Sequence, residues 1–239
     1  MIRKQLINIK LANQITLLFL HKNAVFNANN FGNKCYFAAM KKHILTLALI
    51  LTTLFSYGQT MKWFNKPKAW KGNAKQLTVT VDPNTDYWRI THYGFIRDSG
   101  PFYYEDVTGD FEASVKVTGN YQELFHQAGL MVRIDYKNWI KTGIEYVDGV
   151  QNVSAVVTRE VSDWSVVPRT DSPKSVWLKL LRKGDYVQIQ YSFDNKDFKM
   201  LRLAYFPPKV KAQIGVVAAA PGKKSFDVVF DDFVVKPIK

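Results

Sequence analysis

Cysteine is nearly absent from this 239-residue chain, and the single example, Cys35, lies close to the N-terminus. Past that point there is no thiol for a disulfide, a thiolate metal site or a cysteine nucleophile. Long apolar runs are missing as well. None reaches the roughly 18 residues that a membrane-spanning helix needs, so no stable membrane span is expected. Acidic residues are missing from positions 1–59, which hold seven basic ones: Arg3, Lys4, Lys10, Lys22, Lys34, Lys41 and Lys42. The formal charge of +13 is therefore concentrated there, and residues 60–239 hold 26 basic against 20 acidic residues, a net of +6. So mild an excess does not call for nucleic acid as a partner. Also lacking are His-Glu-x-x-His, a P-loop, Gly-x-Gly-x-x-Gly and a recognisable nucleophile elbow. At 47% hydrophobic and 22% charged residues, the composition is that of a folded protein rather than a disordered one.

From Met40 the chain reads as a secretory signal. Lys41 and Lys42 form a positive start, Ile44 to Phe55 an apolar core too short to span, and Ser56 and Gly58 the small residues before a cut at Gln59. Residues 40–58 are accordingly expected to be a signal peptide, and the protein to be secreted or periplasmic. A signal normally opens a protein, so residues 1–39 read as a mis-called upstream leader, with translation starting at Met40.

The remainder, residues 61–238, reads as one all-β domain. Short alternating runs rich in β-branched and aromatic residues recur at Leu77–Val81, Tyr87–Thr91, Phe111–Thr118, Ala128–Asp135, Trp139–Val147 and Val153–Arg159. They continue at Ser162–Val167, Val176–Arg182, Tyr186–Phe193, Lys199–Tyr205, Lys211–Ala220 and Phe226–Val235. Turn signals such as Asp82-Pro83-Asn84, Asp148-Gly149 and Lys183-Gly184-Asp185 separate them. This spacing predicts antiparallel meanders or Greek keys. Gln122 to Phe125 is expected to form one helical turn.

The candidate site lies in residues 127–165. Period two puts Gln127, Gly129, Met131 and Arg133 on one face, Trp139, Lys141, Gly143 and Glu145 on one face, and Ser154, Val156 and Thr158 on one face. Short turns make these strands neighbours, so their polar residues gather on one sheet. Glycines in the strands leave a trough where a ligand can approach the backbone. Trp139 and Trp164 offer flat rings. Planar polar groups for hydroxyls beside aromatic rings for apolar C–H faces suit a sugar. A merely solvated antiparallel face shows the same alternation, and the pattern alone leaves both open. Tyr93-Gly94-Phe95 fits either the rim of the trough or core packing.

The runs Asp86–Phe95, Gln127–Arg133, Trp139–Glu145 and Ser154–Thr158, with Ser162-Asp-Trp-Ser165, Arg202–Phe206 and Phe226–Phe233, resemble the domain of unknown function 1349 family. The resemblance covers about residues 63–235. It implies a concanavalin A-like jelly-roll sandwich of two antiparallel sheets with a concave face, in a family that includes a fungal protein described as a regulator of enolase. One departure stands out: the family commonly has an acid just before Gln-Ala-Gly-Leu, where this chain has His126.

The retaining glucanases of that fold usually carry a Glu-x-Asp-x-(x-)Glu strand motif, and no Glu-x-Asp occurs here. Glu145-Tyr-Val-Asp148 is the nearest approach, but its spacing puts the two carboxylates on opposite faces of a strand, which leaves a cross-strand pairing of Glu145 with Asp163 as the other option. No catalytic residue is therefore assigned, and a non-enzymatic role is favoured. No cofactor is expected. Asp227, Asp231 and Asp232 supply oxygens for a structural calcium, but at a spacing that matches no defined loop. The expectation is an exported carbohydrate- or glycan-binding domain using Gln127, Arg133, Trp139, Lys141, Glu145, Ser154, Thr158, Asp163 and Trp164. The alternatives are a glycoside hydrolase with an unrecognised carboxylate pair and a domain that binds a protein partner without sugar.

Overall fold

The computed structural model describes residues 61–238. The expected signal segment and upstream leader lie outside the described residues. Sixteen strands are present: β1 (Lys62–Phe64), β2 (Ala69–Gly72), β3 (Gln76–Val81), β4 (Tyr87–Arg89), β5 (Ile96–Asp98), β6 (Phe102–Val107), β7 (Phe111–Gly119) and β8 (Gln127–Asp135). The second half runs β9 (Asn138–Val147), β10 (Val150–Arg159), β11 (Val161–Arg169), β12 (Val176–Lys183), β13 (Tyr186–Ser192), β14 (Lys199–Tyr205), β15 (Ala212–Ala219) and β16 (Phe226–Pro237). No helix occurs among the described residues. The segment expected as a helical turn is a tight turn in which His126 N–H donates to the Glu123 carbonyl at 3.0 Å.

The strands form two seven-stranded antiparallel sheets, ordered β1-β6-β15-β8-β9-β10-β11 and β14-β13-β12-β7-β16-β3-β2, plus the small ribbon β4-β5. This is the two-sheet sandwich of jelly-roll type that the sequence predicts. The core lies between the sheets because period-two alternation turns Leu130, Ile140, Ile144 and Ala155 of one toward Val115, Leu178, Leu180 and Val228 of the other. Each large aliphatic side chain so buried contributes about 1.5–3 kcal/mol. β6 escaped the sequence reading: its middle residues Glu105 and Asp106 break the apolar pattern, yet it is a central strand paired with both β1 and β15.

The outer face of the first sheet departs from the expected wet surface. Every residue from Gln127 to Arg133 is buried, on both faces of β8. The cover is a second apolar cluster in which Phe102, Met131, Trp139, Val156 and Val217 of the sheet pack against Tyr87 and Trp88. The β4-β5 ribbon thus lies across the outer face of this sheet. It is tied down at both ends. Arg133 donates two hydrogen bonds to Asp98 on β5, at 2.7 and 2.8 Å, and Asn65 Nδ2 donates to the Asp98 and Gly100 carbonyls. On the far side, Arg89 N–H donates to Ser162 Oγ at 2.9 Å, and Arg89 Nε donates to the Glu160 carbonyl at 3.0 Å.

Candidate functional site

Beside the ribbon, the outer face of this sheet holds a pocket of about 540 Å³, open solvent at its mouth included. Strand register assembles the floor. β8 and β9 pair so that Gln127 faces Glu145, Gly129 faces Gly143 and Met131 faces Lys141, which puts Lys141 and Glu145 on the same face of β9 with Gly143 between them. The two glycines allow this close pairing: a Cβ at Gly143 would sit 2.0 Å from the Ala128 carbonyl oxygen. Asp86, from the segment before β4, reaches the same space.

The floor is charged and only partly hydrogen-bonded. Lys141 Nζ donates to Gln127 Oε1, and Gln127 Nε2 donates to the Phe125 carbonyl at 3.1 Å. Ser154 Oγ donates to Glu145 Oε2 at 2.7 Å, and Trp164 Nε1 donates to Ser154 Oγ at 3.0 Å. Tyr87 N–H donates to Asp86 Oδ1 at 2.7 Å. Lys141 and Glu145 are only 7% and 6% exposed. Even so, among the described residues Lys141 has no carboxylate within ion-pair distance, and Glu145 Oε1 and Asp86 Oδ2 accept no hydrogen bond. These groups line the pocket and are left to whatever fills it. Burial pushes the Asp86 carboxyl above the usual carboxylate range, and the Lys141 charge pulls it back.

The walls are aromatic. Trp88, Tyr93, Phe95, Phe125 and Trp164 line the opening, with Pro221. Their rings touch in sequence: Trp88 meets Tyr93 at 5.7 Å, Tyr93 stacks on Phe95 at 5.4 Å, Tyr93 meets Phe125 at 6.5 Å, and Phe125 meets Trp164 at 6.3 Å. Of the two sequence readings of Tyr93-Gly94-Phe95, the rim of the trough is the one this geometry matches.

The structure brings together Gln127, Lys141, Glu145, Ser154 and Trp164 from the expected set. The other four are placed elsewhere. Trp139 is 1% exposed, edge-on to Tyr87 at 6.0 Å beneath the ribbon, so its face is closed to any ligand. Arg133 is consumed by Asp98 and lies over Phe64 at 4.7 Å. Thr158 is buried against Ser162, their hydroxyls 2.8 Å apart. Asp163 pairs with Val157 on the opposite face, is 67% exposed and bonds Arg202 at 2.7 Å, so it does not face Glu145. Adjacent residues of one strand point to opposite sides, and with Trp164 in the pocket Asp163 is turned away.

Asp86 and Phe125 were missed as site residues. Asp86 opens the Asp-Tyr-Trp-Arg run that carries the family resemblance, which is the one signal that marked it. His126 stands outside the pocket. Its ring is buried and stacked on Phe226 at 4.4 Å, Nδ1 accepts from Gln122 N–H at 3.3 Å, and Nε2–H donates to the Lys224 carbonyl at 3.0 Å. It joins two loops as a neutral imidazole, and burial lowers its pKa. Asn152-Val-Ser154 has the sequence of a glycosylation acceptor, but Asn152 is buried, its amide donating to the Val150 carbonyl at 2.9 Å. Asp227 accepts from Thr80 and Asp231 from Gln76; among the described residues no three metal-ligating side chains cluster.

The chain is similar to the yeast Regulation of enolase protein 1 of Saccharomyces cerevisiae, at 39% identity over 171 residues, 72% of this chain and 86% of that protein. Among solved structures it resembles a functionally unknown protein from Saccharomyces cerevisiae, with a TM-score of 0.72 and 37% identity over 75% of this chain and 97% of that one. It also resembles part of a mutant of the GH43 protein BlXynB from Bacillus licheniformis, with a TM-score of 0.60 and 14% identity, over 74% of this chain and 37% of that one. That last likeness concerns the fold alone. The family described as "Protein of unknown function (DUF1349)" matches residues 63–238, nearly the whole sandwich, and the chain belongs to it.

Proposed function

We propose that this is an exported domain that binds a sugar in the aromatic-walled pocket. One observation carries the reading: the floor holds unused donors on Lys141 and unused acceptors on Glu145 and Asp86, side by side, under rings that line the walls. A ligand that satisfies both kinds of group must itself donate and accept at neighbouring atoms, as vicinal hydroxyls do. A ligand that lies against the rings must also present an apolar face, as a pyranose does with its C–H groups. The sandwich fold is compatible with this role, and the Met40–Gly58 segment supports export.

The test is a glycan array probed with the wild type and with Lys141→Met and Glu145→Gln. Losing a hydrogen bond to a charged group costs about 1.5–3 kcal/mol, so each variant is expected to bind about 10- to 100-fold more weakly. No glycan bound by a folded wild type, or equal binding by all three proteins, removes the reading.

A second reading, glycoside cleavage, is favoured by the presence of Asp86 and Glu145 in one pocket. A carboxyl group raised by burial, as Asp86 is, suits proton donation to a leaving group. Turnover of nitrophenyl glycosides that Asp86→Asn and Glu145→Gln both abolish would establish it. Binding of glycans without turnover would leave the binding function alone.

A further inference from the structure

We infer that the pocket takes a single terminal sugar unit end-on, and not an internal stretch of a polysaccharide. The inference rests on the sugar reading and deepens it. An open concave sheet would let a chain run through. Here a wall of aromatic side chains stands across the sheet face. The β4-β5 ribbon contributes Trp88, Tyr93 and Phe95 on one side, and the turn before β8 contributes Phe125 at the next. Trp164 of β11 continues the wall beyond Phe125, and Asp86 and Pro221 complete the lining. The contacts Trp88–Tyr93, Tyr93–Phe125 and Phe125–Trp164 leave no gap along that arc.

The barrier is anchored. The Arg133–Asp98 and Arg89–Ser162 bonds hold the ribbon to strands on both sides of the pocket. Beneath it, Met131, Trp139 and Val156 are buried in one apolar cluster with Tyr87 and Trp88 of the ribbon, so the sheet face past Lys141 is covered there. The walls also carry backbone cost. Ile90 and His92 at the ribbon's turn, and Phe125 itself, adopt φ near +64°. Such a conformation costs about 1–3 kcal/mol and persists where the surroundings impose it, commonly at ligand clamps.

The experiment uses the full-length protein and tryptophan fluorescence, since Trp88 and Trp164 line the pocket. Methyl glycosides of the common hexoses and pentoses, free and N-acetylated, are titrated first. For a sugar that binds, its oligosaccharides from one to six units follow, then its polysaccharide before and after partial acid hydrolysis. Terminal recognition predicts affinities within about threefold from monomer to hexamer, under 1 kcal/mol. It also predicts that binding sites per gram rise in proportion to chain ends, about tenfold when mean length falls about tenfold. Affinity that climbs about tenfold or more with length, with sites per gram unchanged, overturns end-on binding and leaves the sugar reading standing. Binding of no sugar removes that reading and this inference with it.

Discussion

Arg133 is the residue on which the sequence pattern and the structure disagree most usefully, and replacing it with methionine separates them. The pattern makes Arg133 a ligand donor; the structure makes it the anchor of the ribbon. Arg133→Met removes two charge-assisted hydrogen bonds to Asp98. Breaking a buried pair on one side costs about 3–5 kcal/mol, because the other charge stays buried. The Asp98 side chain keeps 22% exposure and regains some water, while methionine still packs on Phe64. The expected loss is therefore at the lower end, about 3 kcal/mol. With a urea slope of about 2 kcal/mol/M, the unfolding midpoint falls by about 1.5 M. Adding Asp98→Ala should recover part of that loss, with a coupling of about 2 kcal/mol. Glycan affinity of the folded fraction should stay within about threefold of wild type, because the Arg89–Ser162 bond and the buried Tyr87 and Trp88 still hold the ribbon in place. A variant as stable as the wild type that has lost glycan binding would refute this reasoning and return Arg133 to the ligand site.

The two tryptophans of the expected site should behave oppositely. Trp139→Ala costs about 3–5 kcal/mol of stability by emptying the space under the ribbon, whereas Trp164→Ala, at the pocket wall, mainly lowers glycan affinity, about tenfold; thermal melts and titrations distinguish them. His126 should make stability pH-dependent. Its folded pKa lies below the ordinary value because of burial, so below about pH 6.5 the unfolded chain holds more protons. Stability present above that pH is then lost as pH falls through the folded value. Urea midpoints at pH 7.5 and pH 5 should differ more in wild type than in His126→Gln, with Glu123 at 3.8 Å unchanged. Mass spectrometry of the exported protein should find Gln59 at its N-terminus.

Much of this arrangement is written in local alternation. Period two in Gln127–Arg133 and Trp139–Val147, joined by a tight turn, suffices to bring Gln127, Lys141 and Glu145 onto one face, and it correctly sets Leu130 and Ile140 toward the core. What alternation cannot express is a cover. Trp139 shares the polar face as the pattern requires, yet it is closed off by a ribbon of two three-residue strands that has no periodic signature. That ribbon is fixed by bonds between residues far apart in sequence, Arg89 with Ser162 and Arg133 with Asp98. Asp163 is a different case. Its neighbour Trp164 already occupied the inward position, and the pleat alone turns Asp163 outward.

The most direct test of the account is a crystal structure of the protein soaked with the glycan that binds best on the array. The account predicts a terminal sugar ring lying against Trp164 or Trp88, with hydroxyls within hydrogen-bond distance of Lys141 Nζ and Glu145 Oε1. A glycan bound on the outer face of the second sheet or along a strand edge, with the pocket empty, would contradict it.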